Sequence, residues 1–175
     1  MPVLHRLPPQ DELRRFLSER GGDLSAALDR IQGRVELGVK AFVDRERFAT
    51  GSVAIQELSE RPSQTEGGRA YLEARRLDQL ITRELMRFRD EVDGPLHERL
   101  AAASDDAVRL NLQQPEVSGR EEEMLLNGAY LVSDRPWFEA ELRELAGEHF
   151  DSGVELELTG PWPPYNFVPA ELGAA

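Results

Sequence analysis

The sequence predicts an α+β fold in which helices cover one face of a β-sheet. Apolar and polar residues alternate over 35–43 and again over 154–159, which is typical of strands. An apolar stripe with helical period runs through 69–104. After it the elements follow as strand, strand, helix, strand, and a strand–helix–strand run of this length forms a right-handed crossover on one sheet. This order is typical of a ferredoxin-like α+β sandwich.

The first predicted elements are two short helices. One covers 10–20, where apolar residues recur at a spacing of three and four. Gly21-Gly22 is expected to end it, because glycine is a poor helix former and a common C-terminal cap. Asp23 is a suitable N-cap for the second helix.

The predicted strand 35–43 is followed by a weaker helical segment over 44–60. The next segment, 61–68, reads Arg-Pro-Ser-Gln-Thr-Glu-Gly-Gly and is polar and rich in breakers. We therefore predict a linker at 61–68. It separates an N-terminal α+β unit at 1–60 from a unit at 69–175 that contains the long helix and the C-terminal sheet.

The strongest helix prediction covers 69–104. Gly94-Pro95 interrupts it, and because proline lacks an amide donor and crowds the preceding turn, we expect a kink or two helices in tandem. The apolar stripe consists of Leu77, Ile81, Leu85, Phe88, Val92, Leu96 and Leu100.

The remaining elements are mainly strands. Residues 108–112 alternate, and the nearly continuous apolar run 124–132 suits a central strand. Asp134 and Pro136 mark a helix start, with aspartate at the cap and proline in the first turn. The strand at 154–159 follows that helix.

Charge and composition exclude several classes of protein. The chain has 175 residues, with 21 basic and 33 acidic side chains, for a net charge of −12. From position 121 onward only two arginines face 12 acidic residues, so we expect no nucleic-acid binding there. The absence of cysteine excludes disulfides and thiolate metal sites. No apolar run approaches the roughly 20 residues of a membrane helix, and no signal peptide is visible, so we expect a cytoplasmic protein without membrane contact.

No catalytic, cofactor-binding or metal-binding motif is recognisable. His5, His97 and His149 lie far apart and lack metal-ligand spacing, and no phosphate-binding glycine loop occurs. Three adjacent carboxylates at 121–123 point in different directions, which favours a solvated loop. We assign no residue to catalysis, a cofactor or a metal, although an enzyme with an unrecognised carboxylate pair stays an alternative.

The most specific signal is the segment 158–168, Leu-Thr-Gly-Pro-Trp-Pro-Pro-Tyr-Asn-Phe-Val. Its prolines predict a stiff, extended arm after the last strand. Two interpretations remain open. The arm either folds back to seal the core, which we favour because exposed aromatic area is unfavourable, or it binds a partner, with Pro161-x-x-Pro164 as a polyproline ligand.

This segment resembles the C-terminal signature of the gas vesicle protein GvpF/GvpL family. The segment 33–40, which contains Gly33 and Glu36, resembles an internal strand of the family, and 127–132 resembles its central strand. Members usually have a further strand and helix before the part seen here, so the resemblance implies an incomplete N-terminal domain. The motif residues are Gly33, Glu36, Gly160, Pro161, Trp162, Pro163, Pro164, Tyr165 and Phe167.

The resemblance implies two modified ferredoxin-like domains joined by helices and a non-enzymatic role. The protein would act in gas vesicle formation, bind the hydrophobic main shell protein and limit its aggregation during nucleation. Other gas vesicle proteins are further expected partners. A ferredoxin-like regulatory module that binds a small effector is the alternative. Two docking surfaces are hypothesised, an open sheet edge and the long-helix residues Leu77, Ile81, Leu85, Phe88 and Val92.

Overall fold

One antiparallel sheet organises the part of the chain that the computed structural model describes, residues 10–59 and 68–169. Its strands are β1 (Val35–Val43), β2 (Asp106–Arg109), β3 (Glu123–Val132) and β4 (Val154–Trp162). They lie in the order β2-β3-β1-β4, so β1 and β3 are central. All three strand pairs are antiparallel. The strands predicted over 35–43, 124–132 and 154–159 are confirmed.

Six α-helices accompany the sheet in the described residues. None of them is both long and apolar enough to cross a membrane. The helices are α1 (Gln10–Ile31), α2 (Arg45–Gly51), α3 (Val53–Ser59), α4 (Gly68–Ala102), α5 (Pro115–Ser118) and α6 (Arg135–His149).

Helix α1 is continuous, so the expected break at Gly21-Gly22 is wrong. A glycine inside a helix costs only about 1 kcal/mol relative to alanine, and helix formers flank this pair on both sides. Neither glycine approaches another part of the chain within 4 Å of a built Cβ. The pair therefore weakens α1 without ending it.

Helix α4 is one helix that contains Pro95, so the tandem alternative is wrong. Its 35 residues span about 52 Å at 1.5 Å per residue. Gly94 has no Cβ to clash with the Pro95 ring, which removes the usual conflict before a proline. Leu96 and Leu100 beyond it are almost fully buried, and this packing favours continuation of the helix.

The sheet joins strands from both sides of the predicted linker. Strand β1 precedes residues 61–68, yet it is hydrogen-bonded to β3 and β4, which follow them. The predicted units 1–60 and 69–175 therefore both contribute strands to one sheet. Along the chain, the predicted linker at 61–68 separates β1 from the other three strands. Within the linker only Gly68 is described, as the first residue of α4; the others lie outside the described residues.

The two faces of the sheet are covered differently. Helices α4 and α6 pack on one face over the larger core, which includes Leu37, Leu96 and Phe138. On the other face a smaller cluster forms around Ala129, Leu131 and Phe167. Here the end of α1 and the C-terminal segment supply the cover, whereas the sequence predicted helices on one face only.

Tyr130 shows how tightly the larger core is packed. It is fully buried, and its hydroxyl lies 3.0 Å from His97 Nδ1. Its ring lies over Gly128, where a built Cβ would come within 2.6 Å of the Tyr130 hydroxyl oxygen. Position 128 therefore requires the absence of a side chain.

We expect Gly128→Ala to lower the free energy of unfolding by about 1–3 kcal/mol, because the buried ring cannot move away from the added methyl group. Gly147→Ala in α6 is the matched control, since nothing lies within 4 Å of its built Cβ. The control should raise stability by about 0.5–1 kcal/mol through helix propensity. Urea denaturation of both variants measures the difference, and equal effects would contradict this account of Tyr130.

Candidate functional site

The two sequence motifs at Gly33–Glu36 and Gly160–Phe167 meet in the structure. Glu36 of β1 is the strand partner of Trp162 at the end of β4. We call residues 160–167 the motif arm. The arm leaves the sheet beside Glu36 and crosses to the smaller core, so residues far apart in sequence form one site.

The Glu36 carboxylate holds the motif arm through Asn166. The Asn166 backbone N–H donates to Glu36 Oε2 at 2.9 Å, and Asn166 Nδ2 donates to Oε1 at 2.6 Å. Glu36 is only 5% exposed, and buried polar groups that are hydrogen-bonded on both oxygens fix a single arrangement. Sequence reasoning listed Glu36 without a partner, because no local pattern links it to a residue 130 positions away.

Gly160 permits the close crossing of the arm over β1. Its φ is +102°, in the region that favours glycine, and the Gly160–Pro161 peptide is cis. A built Cβ would lie 2.9 Å from the Glu36 carbonyl oxygen and 3.1 Å from Trp162 Cδ1. Gly33 also has a positive φ, +73°, in the turn between α1 and β1, with open space around it. The motif glycines therefore serve backbone geometry.

The arm is not the extended segment that its prolines predicted. Strand β4 continues through Trp162, and Tyr165–Phe167 forms a 3₁₀ turn. Pro164 has φ −75° and ψ 60°, whereas polyproline II requires ψ near +145°. This segment is therefore not preformed as a polyproline ligand.

The aromatic residues of the arm divide between the core and the surface. Phe167 is 3% exposed and packs with Ala129 and Leu131, so for this residue the predicted folding back onto the core is confirmed. Trp162 is 53% exposed and Tyr165 is 76% exposed. Two large aromatic side chains thus remain at the surface of an arm that Phe167 and Asn166 anchor.

The apolar stripe of α4 is engaged within the chain. Leu85 and Val92 are buried in the larger core, and the other three candidate docking residues are partly buried against it. Phe88 also contacts the ring of Phe48 in α2, with centroids 5.0 Å apart. The chain's own elements therefore cover much of this stripe. These five positions are Leu77, Ile81, Leu85, Phe88 and Val92.

A cleft of about 760 Å³ lies between the start of α2 and the segment 119–123. Three of its ionisable residues have structural partners: Asp44 caps α2, and Arg120 pairs with Glu122 at 3.0 Å. Hydrogen bonding from Arg120 lowers the pKa of the Glu122 carboxyl to about 2. Among residues 10–59 and 68–169, no three histidine or carboxylate side chains are grouped to hold a metal ion.

His97 is the described histidine most involved in packing. Burial lowers its pKa, and the nearby Arg109 charge acts in the same direction. Its ring contacts the Tyr130 ring, and its Nδ1 shares a hydrogen bond with the Tyr130 hydroxyl. The arrangement explains His97 as a half-buried residue that packs beside Tyr130.

A family model described as gas vesicle synthesis protein GvpL/GvpF matches residues 6–169. The chain belongs to the GvpL/GvpF family. The match spans nearly the whole sequence and includes both motif segments, so the resemblance inferred from the motif arm is confirmed.

Curated relatives of this GvpL/GvpF chain carry the same family names. It is 34% identical over 160 residues to gas vesicle protein L of Streptomyces sp. (strain CB03234), covering 89% of this chain and 56% of the relative. It is 27% identical over 132 residues to gas vesicle protein L1 of Halobacterium salinarum, covering 71% and 45%. The chain thus spans about half the length of these relatives.

Two solved structures share the fold. The crystal structure of GvpF from Anabaena sp. PCC7120 matches with a TM-score of 0.61 at 17% identity, over 96% of this chain and 65% of that one. GvpF from Microcystis aeruginosa matches with a TM-score of 0.60 at 14% identity, over 96% and 68%. These similarities support the α+β architecture of the GvpL/GvpF chain.

We expect Glu36→Gln to lower the free energy of unfolding by about 1–3 kcal/mol, because an amide cannot accept hydrogen bonds on both of its heteroatoms from Asn166. Glu139→Gln is the control, since Glu139 forms an ion pair with Arg135 on the outside of α6. Exposed pairs of this kind contribute less than about 0.5 kcal/mol. Urea denaturation compares the two; a Glu36→Gln protein as stable as the control would show that Asn166 does not anchor the arm.

Proposed function

We propose that this chain acts in gas vesicle formation by binding the hydrophobic main shell protein in the cytoplasm and limiting its aggregation during nucleation. Family membership supports the process, and the exposed aromatic pair of the motif arm supports the mode of action. Because the chain spans about half of its curated relatives, the proposal concerns this chain alone. Other vesicle proteins are further candidate partners.

We propose that the sheet and helices α4 and α6 form a ferredoxin-like domain. Apart from the short helices α2, α3 and α5, the elements from β1 onward run β1, α4, β2, β3, α6 and β4, which is the β-α-β-β-α-β order of that fold. The sheet order β2-β3-β1-β4 is compatible with it. Such a domain offers a rigid support for the arm at one edge of the sheet.

The observation that carries the proposal is the exposure of Trp162 and Tyr165 beside the open edge of β4. Aromatic residues dominate binding energies when a partner buries them. Strand β4 has nine residues and, among residues 10–59 and 68–169, is paired with β1 alone, so its outer edge can accept an extended segment. The opposite edge strand, β2, has only four residues. We therefore place the docking surface at the arm and the β4 edge.

The charge of the chain suits a protein that keeps an apolar partner dispersed. A net charge of −12 opposes the association of complexes with each other. The cleft residues Asp44, Arg120 and Glu122 already have structural partners, which supports a binding role over a catalytic one. The expected absence of enzymatic activity stays a prediction.

We expect the purified chain to reduce light scattering when the main shell protein is diluted from denaturant. Trp162→Ser/Tyr165→Ser should weaken this effect several-fold, because the anchoring aromatic area is lost. Trp137→Ser is the control, since Trp137 is exposed on α6, which packs on the opposite face of the sheet from Phe167 of the arm. No effect of the wild-type chain would refute shell-protein binding, whereas equal activity of the double variant and the control would refute only the docking surface.

Deletion of the gene tests the role in the cell. We expect electron microscopy to show no gas-filled, pressure-sensitive bodies in the deletion strain, because nucleation of the shell would fail. Plasmid-borne wild-type chain should restore them and the Trp162→Ser/Tyr165→Ser chain should not. Normal vesicles in the deletion strain would contradict an essential role in formation.

A further inference from the structure

The outer edge of β4 has a different chemical character on each face of the sheet. Leu156 and Leu158 lie on the face of the larger core and are partly buried against it. Glu155 and Glu157 alternate with these leucines, so they lie on the opposite face. The edge therefore presents an apolar row on one face and an acidic row on the other.

The acidic row carries more negative charge than its neighbours balance. Arg120 pairs with Glu155 at 2.6 Å and with Glu157 at 3.7 Å, and it also pairs with Glu122 at 3.0 Å. Lys40 of β1 is the strand partner of Glu157. Two cations thus accompany three carboxylates. The Glu155 side chain is 62% exposed and that of Arg120 only 21%, so the carboxylate, more than the guanidinium, faces solvent.

The exposed Trp162 extends the acidic row along the same face. Thr159 follows Glu157 on this face, and Trp162 Nε1 lies 3.4 Å from Thr159 Oγ1. Lysine and arginine side chains pair with carboxylates and also stack on aromatic rings. Basic side chains therefore complement both parts of the row.

The backbone of β4 offers a limited ladder to an added strand. Pro161 has no amide N–H, so the main-chain donors of the edge come from residues 154–160. A proline inside a strand is typical of an edge strand, whose outer groups are unpaired. The ladder and the two side-chain rows thus cover the same short segment.

The charge of the edge disfavours a second copy of this chain as its occupant. Two β4 strands paired antiparallel about Glu157 would place one Glu157 carboxylate opposite the other. Like charges directly opposite each other destabilise a strand pair, whereas opposite charges stabilise it. The acidic row therefore selects a strand of opposite charge.

We propose that the β4 edge binds an extended segment in which lysine or arginine alternates with apolar residues. The apolar side chains of this segment continue the row of Leu156 and Leu158, and its basic side chains meet Glu155 and Glu157. The inference rests on the proposed function, because it assigns the segment to the main shell protein. Strand addition to an open edge is the mode of binding.

Peptide binding to the full chain tests the pattern. The probe is a short peptide that alternates lysine with valine, and its fluorescence anisotropy reports binding. A peptide of the same composition, with its lysines and valines in two separate blocks, is the control. We expect the alternating peptide to bind about ten-fold more tightly, which corresponds to about 1.4 kcal/mol. Equal binding of the two peptides would overturn the proposal, because net charge alone would then account for the attraction.

Methylation of alternate backbone amides in the same peptide tests the strand pairing. Of the two possible methylation patterns, we expect one to abolish binding, because it removes the donors that point to β4. Unchanged binding of both methylated peptides would overturn strand addition.

A charge swap tests the acidic row. Glu155→Lys/Glu157→Lys should bind the lysine–valine peptide about ten-fold more weakly and should gain binding of a glutamate–valine peptide. Glu155→Gln/Glu157→Gln should lose binding several-fold, and this milder variant serves if the charge-reversed chain does not fold by circular dichroism. Glu73→Lys/Glu91→Lys is the control for net charge, since both positions are exposed on α4, which packs on the other face of the sheet. Wild-type affinity in the glutamine variant would overturn the proposal.

The dilution assay with the shell protein separates this inference from the proposed function. If the wild-type chain and Glu155→Lys/Glu157→Lys reduce scattering equally, the proposed function stands and the edge inference fails. If the wild-type chain has no effect on scattering, the proposed function fails, and selective binding of the alternating peptide still supports the chemistry of the edge. A concentration-dependent dimer that the alternating peptide dissociates would assign the edge to a second copy and overturn the proposal.

Discussion

The hydrogen bonding of β1 on both of its sides is the constraint on which the architecture depends. Strand β1 is central, pairing with β3 along one side and β4 along the other. Because these partners lie more than 70 residues further along the chain, the sheet forms only when segments that are distant in sequence come together. The core helices α4 and α6 then pack on one face, and the opposite face receives the end of α1 and the motif arm.

The motif arm depends on the same strand. Glu36 lies in β1, accepts both hydrogen bonds from Asn166 and leaves its carbonyl oxygen against Gly160. One residue of the central strand therefore fixes the path of the C-terminal segment. Phe167 is buried by this path, and Trp162 and Tyr165 are held outside. The family motif thus contains residues that hold the arm in place, such as Glu36 and Gly160. It also contains aromatic residues that the arm exposes, Trp162 and Tyr165.

The two longest helices, α1 and α4, show that one sequence pattern can have two structural outcomes. Both α1 and α4 carry an apolar stripe at helical spacing. In α4 the stripe packs against the sheet and Phe48. In α1, Leu13, Leu17 and Leu28 stay exposed, and only Ala27 and Ile31 pack against the rest of the chain that the structure describes. A stripe therefore indicates burial against some surface, and only tertiary structure shows whether the chain itself provides that surface.

The sequence by itself determined the local elements and the family. Strand 35–43, strand 124–132 and the helix cap at Asp134 were predictable, because alternation and capping depend on neighbouring residues. The tertiary structure decided the order of the strands, the continuity of α1 through Gly21-Gly22 and the pairing of Glu36 with Asn166. The same holds for which aromatic residues of the arm are buried. These features depend on which distant surfaces meet, and their packing free energy exceeds the local preferences that a sequence pattern records.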